Sequence, residues 1–207
     1  MTGLARPRAA RGRLLALLAV LAVLAVALVV GVRADHRFAT AAPGRAAPVP
    51  GLLAARTAAA LPPCPPALTT ELPELRLACY DGGPDVAVSG APGRPMLVNL
   101  WATWCGPCVD EVPELVAFTA AAGDRVGVVG VTVEDSPASV YAFVKAFGVN
   151  YPLVADDLGQ VLRRYGPGPP ITLLVRADGT VAHVQRGAFP TLGAVEDAVA
   201  THLGVRV

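Results

Sequence analysis

Lysine is nearly absent from this chain: Lys145 is the only one among 17 basic residues. Residues 64–207 hold nine Lys or Arg against fifteen Asp or Glu, a net charge of −6. A segment this acidic has no basic stripe to neutralise phosphates, which excludes nucleic-acid binding. Histidine is scarce as well. His36, His183 and His202 read as isolated residues, none within ligand spacing of another, so they mark no metal site. Of four cysteines, Cys105 and Cys108 form a C-x-x-C, but Cys64 and Cys79 are fifteen positions apart with no histidine near, which argues against zinc. Position 109 is Val rather than His, which excludes c-type haem attachment. No internal repeat is present, and outside residues 14–32 no apolar run is long enough to cross a membrane.

What the N-terminus does contain is one such run. Arg6, Arg8, Arg11 and Arg13 precede nineteen uncharged residues, Leu14 to Val32, almost all Leu, Ala and Val. As a helix they cover about 28 Å, close to the ~30 Å hydrocarbon thickness of a bilayer. Their length favours a retained signal-anchor over the shorter core of a cleaved signal peptide, although Ala39-Thr40-Ala41 leaves cleavage open. The excess of arginine before the run puts residues 1–13 in the cytoplasm and everything after Val32 outside it. Residues 33–63 are rich in Ala, Pro and Arg, the composition of a flexible tether that buries no core.

Residues 64–207 alternate short apolar runs with amphipathic stretches, the pattern of an α/β domain. Strands are expected at 75–80, 96–101, 126–133, 171–175 and 180–185, the last two joined by a turn at Arg176–Gly179. Helices are expected over 105–122, after Ser136-Pro137, from Asp157 and from Thr191. Tyr141, Phe143, Phe147 and Leu153 are spaced to pack one helix and its exit on the sheet. Glu134-Asp135 reads as a strand end leading into a helix cap rather than as a cation site.

The chemistry concentrates in WATWCGPC, Trp101 to Cys108. The two cysteines follow a buried strand and open a helix, where free N–H groups and the macrodipole favour a thiolate. At C-x-x-C spacing the second thiol can displace a partner bound to the first, the basis of thiol–disulfide exchange. A single peroxidase-like cysteine or a static structural disulfide are the alternatives. Glu111 lies one helical turn beyond Cys108 and can share its side of the helix. Partly buried, it would hold or deliver a proton; otherwise it is one solvated carboxylate among Asp110, Glu111 and Glu114. Pro113 falls inside the same helix and is expected to bend it.

Residues 71–207 resemble the membrane-anchored thioredoxin-like proteins of the TlpA/ResA type, most closely over VNLWATWCGPCVDEVPEL (98–115), and again in DDLGQVLRRYG (156–166) and GPPITLLVRADGTV (168–181). The resemblance implies a thioredoxin-like fold: a central mixed sheet flanked by helices, with an N-terminal strand extension and a preceding transmembrane helix. It implies Cys105 as attacking thiol, Cys108 as buried resolving thiol, Trp104 as a shield for the pair and Glu111 as the acidic residue near them. Asn99 stands where cytoplasmic thioredoxins carry a buried aspartate, which leaves Glu111 as the proton carrier; Asn99 itself is expected to satisfy backbone groups. Pro170 matches the family's cis-proline opposite the cysteines. The residue before it pairs with substrate backbone in the family, but here it is Pro169, which has no N–H to give. Pro167 and Ile171 also depart from the commoner pattern, which bears on substrate choice.

Cys64 and Cys79, an even pair outside the active motif of an exported chain, read as a structural disulfide, with a second redox pair or free thiols as the other possibilities. The expected function is a membrane-tethered, extracytoplasmic thiol–disulfide oxidoreductase. It needs no cofactor and acts on a disulfide-bearing exported protein. The resemblance suggests a reductant fed by a membrane electron-donor protein, in cytochrome c maturation. An oxidant of folding proteins and a non-catalytic tethered binding module with a static disulfide remain open.

Overall fold

The computed structural model describes residues 51–72 and 74–207. The readings of 1–13 as a cytoplasmic terminus, 14–32 as a transmembrane helix and 33–50 as tether lie outside these residues. Among the described residues no helix is long and apolar enough to cross a membrane. In chain order the elements are helix α1 (Leu52–Ala59), strands β1 (Ala67–Thr69), β2 (Arg76–Cys79), β3 (Val86–Ser89) and β4 (Met96–Trp101), helix α2 (Gly106–Ala122), β5 (Gly127–Val133), α3 (Pro137–Phe147), β6 (Leu153–Asp156), α4 (Gln160–Tyr165), β7 (Ile171–Val175), β8 (Val181–Arg186) and α5 (Leu192–Leu203).

The strands with near-continuous apolar sequence occupy the interior of the sheet, as burial on both faces requires. The order is β1-β3-β2-β6-β5-β4-β7-β8. β4 runs parallel to β5 and antiparallel to β7, and β5 runs parallel to β6, so the sheet is mixed. All residues of β4, β5 and β7 are buried. Trp101, Phe118, Leu97, Leu100, Leu153 and Leu174 are among the large side chains that fill the core. Gly130 is required at its place in β5: a Cβ there would come within 2.5 Å of Leu153 and 2.7 Å of the Trp101 indole nitrogen.

The thioredoxin-like arrangement expected from the sequence is therefore found, with β1–β3 as the N-terminal extension. Ser136 caps α3 and Thr191 caps α5, each side chain accepting from the N–H three residues on. The turn between β7 and β8 is closed by Gly179 at φ +90, and Asp178 accepts from the Thr180 N–H at 2.9 Å.

Several expectations are corrected. Within the segment read as a tether, Leu52–Ala59 is helical and packs against α3. Alanine, leucine and arginine are strong helix formers, and a few apolar contacts through Leu52, Ala55 and Ala59 are enough to dock them. Helix α4 is capped by Asp156, not opened by Asp157: the Asp156 carboxylate accepts from the N–H groups of Gln160, Val161 and Leu162 at 2.7, 2.9 and 3.3 Å. Phe147, although stacked on Phe143, is exposed rather than core. His183 and His202 are not isolated: their rings stack 3.9 Å apart and join β8 to α5.

Candidate functional site

β4 delivers the chain to the site, and α2 begins there. Cys105 is the N-cap of α2, in extended conformation, with Pro107 in the first turn, where its missing N–H and preset φ are well tolerated. Its sulfur accepts from the Cys108 N–H at 3.3 Å, a donor it shares with the Cys105 carbonyl at 3.0 Å, so an N–H of the helix start points toward the reactive atom. Cys105 and Cys108 are joined in a disulfide with their Cα atoms 5.2 Å apart. Cys105 is 6% exposed and Cys108 fully buried, an asymmetry that lets an incoming sulfur reach the first cysteine and not the second.

From Cys108 the buried face of α2 continues through Glu111, Val112, Leu115 and Phe118, the three-to-four-residue period of a core-facing helix. Glu111 is on that face because of its position in this period. It is only 1% exposed, whereas Asp110 is exposed, so the reading of Glu111 as a solvated carboxylate is overturned. Its Oε1 accepts from the Phe189 backbone N–H and its Oε2 from the Asn99 amide, both at 2.9 Å. Burial pushes the carboxyl up from 4.5 to about 7, against the opposing pull of these two hydrogen bonds. A carboxyl poised there can take up and release a proton near neutral pH.

Asn99 is correspondingly not a backbone anchor. Its amide nitrogen donates to Glu111 and, at 2.9 Å, to Thr172 Oγ1, linking β4, α2 and β7. Thr172 and the Phe189 amide are site components that the sequence reading missed; they come from 73 and 78 residues away, and no local motif marks them. Tyr151 is a further buried neighbour whose hydroxyl is pushed up by burial and by the charge of Glu111.

The peptide bond between Pro169 and Pro170 is cis, as expected. Pro170 stands one residue before Ile171, which pairs with Leu100, so it borders the end of the sheet where β4 leads to Cys105. Pro169 is half-buried there. Trp104 is 58% exposed, and its indole N–H donates to the Glu134 carbonyl at 3.3 Å. Pro113 is exposed within α2. Cys64 and Cys79 are joined in a second disulfide, which ties the chain after α1 to β2. The Asp81 carboxylate lies within 4.8 Å of both sulfurs, but bonded sulfurs offer no thiolate to a metal.

A thioredoxin-like sheet with a C-x-x-C at the start of a helix defines the class to which the chain belongs. The chain is a member of the Redoxin family, whose model matches residues 67–201. It is 36% identical over 109 residues to the thiol-disulfide oxidoreductase ResA of Bacillus subtilis, covering 52% of this chain and 61% of the relative. The chain thus spans about three-fifths of that relative's length. Among solved structures it is similar to a thiol:disulfide interchange protein of the thioredoxin family from Chlorobium tepidum, with 25% identity, a TM-score of 0.55, and coverage of 66% of this chain and 97% of that one. StoA from Bacillus subtilis shares the fold at 22% identity and a TM-score of 0.52, covering 62% of this chain and 97% of StoA.

Proposed function

We propose that this chain is a thiol–disulfide oxidoreductase that reduces disulfides in exported proteins, held to the membrane by residues 14–32 with its catalytic domain on the outer side. The observation that carries the exchange chemistry is the Cys108 N–H directed at the Cys105 sulfur at the start of α2. In the dithiol form, the Cys105 thiolate attacks a client disulfide: a Cys105–client S–S bond forms, the client S–S bond breaks, and the leaving client sulfur takes a proton. Cys108 then gives up its proton and attacks Cys105, restoring the disulfide seen here and releasing the second client sulfur. Two electrons pass to the client. Glu111, buried one turn from Cys108, is the base in this reading.

The reducing direction is supported by the Gly-Pro between the cysteines, and it and a place in cytochrome c maturation are what the resemblance to the TlpA/ResA type implies. Reduction outside the membrane needs electrons from a membrane donor protein. The nineteen-residue apolar run after four arginines supports the tether and its orientation. Trp104, exposed beside Cys105, and Pro169 and Pro170 are assigned to the client. With no N–H at Pro169, backbone pairing there keeps only the carbonyl acceptor.

Insulin reduction by wild type and Cys105→Ser tests the chemistry. Turnover that disappears in the variant is expected, and equal rates would refute exchange at Cys105. Equilibration with glutathione tests direction: a potential near about −270 mV, as in thioredoxin, fits a reductant, and one near about −120 mV an oxidant.

A further inference from the structure

The loop after β5 reaches across to the peptide that leads into Cys105. Asp135 Oδ2 accepts from the Thr103 backbone N–H at 2.6 Å, and its Oδ1 accepts from the Thr103 hydroxyl at 3.1 Å and from the Ser136 N–H at 2.8 Å. Beside it, the Glu134 carbonyl holds the Trp104 indole. Thr103 and Trp104 are the two residues directly before Cys105. Capping of α3 does not account for Asp135, because Ser136 provides that cap through its own hydroxyl. Glu134 sits at φ +48, in the left-handed region that a residue with a side chain adopts only when its surroundings impose it. Its N–H is tied to the Asp156 carbonyl at 3.2 Å and its carbonyl to Trp104. The loop is thus locked on both sides, and its fixed side chain is spent on the approach to the attacking sulfur.

We infer that Asp135 is a positioning residue for thiol–disulfide exchange: by holding the backbone N–H and the hydroxyl of Thr103 it sets the direction in which the Cys105 sulfur meets a client disulfide. The inference rests on the reading of Cys105 as the attacking thiol. Displacement at sulfur needs the attacking, central and leaving sulfurs close to one line, and small misplacements of a reacting atom cost large factors in rate. Asp135 touches none of these sulfurs; it acts through Thr103. Asparagine replaces it only in part: its single oxygen can accept from the Thr103 N–H, but its NH2 then faces the Ser136 N–H that the carboxylate accepted.

The test compares kcat/KM for insulin disulfide reduction in wild type, Asp135→Ala and Asp135→Asn, with urea unfolding midpoints for each. A fall of about tenfold or more in Asp135→Ala is expected, with Asp135→Asn between the two. Wild-type turnover in Asp135→Ala would overturn the inference. Thr103→Val supplies the same test without disturbing Asp135: a severalfold fall at an unchanged unfolding midpoint supports positioning, and an unchanged rate refutes it. A wild type without Cys105-dependent turnover would overturn both the exchange reading and this one, whereas a fully active Asp135→Ala would overturn this one alone.

Discussion

The Asn99 amide nitrogen lies 2.9 Å from the Glu111 carboxylate, in the core directly behind the cysteine pair. A carboxylate in that place is costly to ionise, and its neighbours offer two N–H donors but no full positive charge. The result is a buried group that titrates in the range where thiols exchange protons.

That placement predicts how stability depends on pH. The native carboxyl titrates at about 7 against 4.5 for its ordinary value, so between those limits the folded chain retains a proton that the unfolded chain has released. Stability attributable to Glu111 therefore falls as pH rises through this window, by on the order of 3 kcal/mol once the group is fully ionised. Glu111→Gln should be more stable than wild type at pH 8 and should lose that advantage toward pH 4.5. The Asn99 Oδ1, without a partner among the described residues, can accept from the new amide after a flip. Urea midpoints at pH 4.5, 6 and 8 check this, and the same variant should exchange about ten- to a hundredfold more slowly, with a flatter pH profile near 7.

Much of this site was legible locally. C-x-x-C after a buried run marks the reactive pair, and counting one turn on from Cys108 finds Glu111 on the right face. What a linear reading could not supply were the partners that decide its state: Thr172 and the Phe189 amide arrive through strand pairing and a distant loop. The short strands β1 and β3, three and four residues long, were missed because so few residues show no periodicity. Helix α1 was missed because Ala-rich sequence without aromatic residues looks like tether until its docking surface on α3 exists. Asp156 and Asp157 were confused because only the fold shows which of two adjacent carboxylates points at a helix start.

The unequal burial of the two cysteines predicts unequal variants. Cys108→Ser should accumulate a covalent complex between Cys105 and a client, seen on non-reducing gels and by mass spectrometry, because nothing remains to release it. Cys105→Ser should form no such complex.

Removing the second disulfide should affect stability rather than chemistry. Its fifteen-residue span gives a loop-closure contribution of about 3 kcal/mol in the chain-entropy account, so Cys64→Ser/Cys79→Ser should unfold at lower urea while still reducing insulin. Loss of turnover at full folding would instead make this pair a participant in electron transfer.

The most direct measurement concerns the sulfur of Cys105 itself. In Cys108→Ser, with the Cys64–Cys79 disulfide intact, the rate of alkylation by iodoacetamide is followed against pH. Placement at the start of α2 predicts half-maximal reactivity well below the ~8.5 of a free thiol. A profile indistinguishable from that of free cysteine would contradict the account.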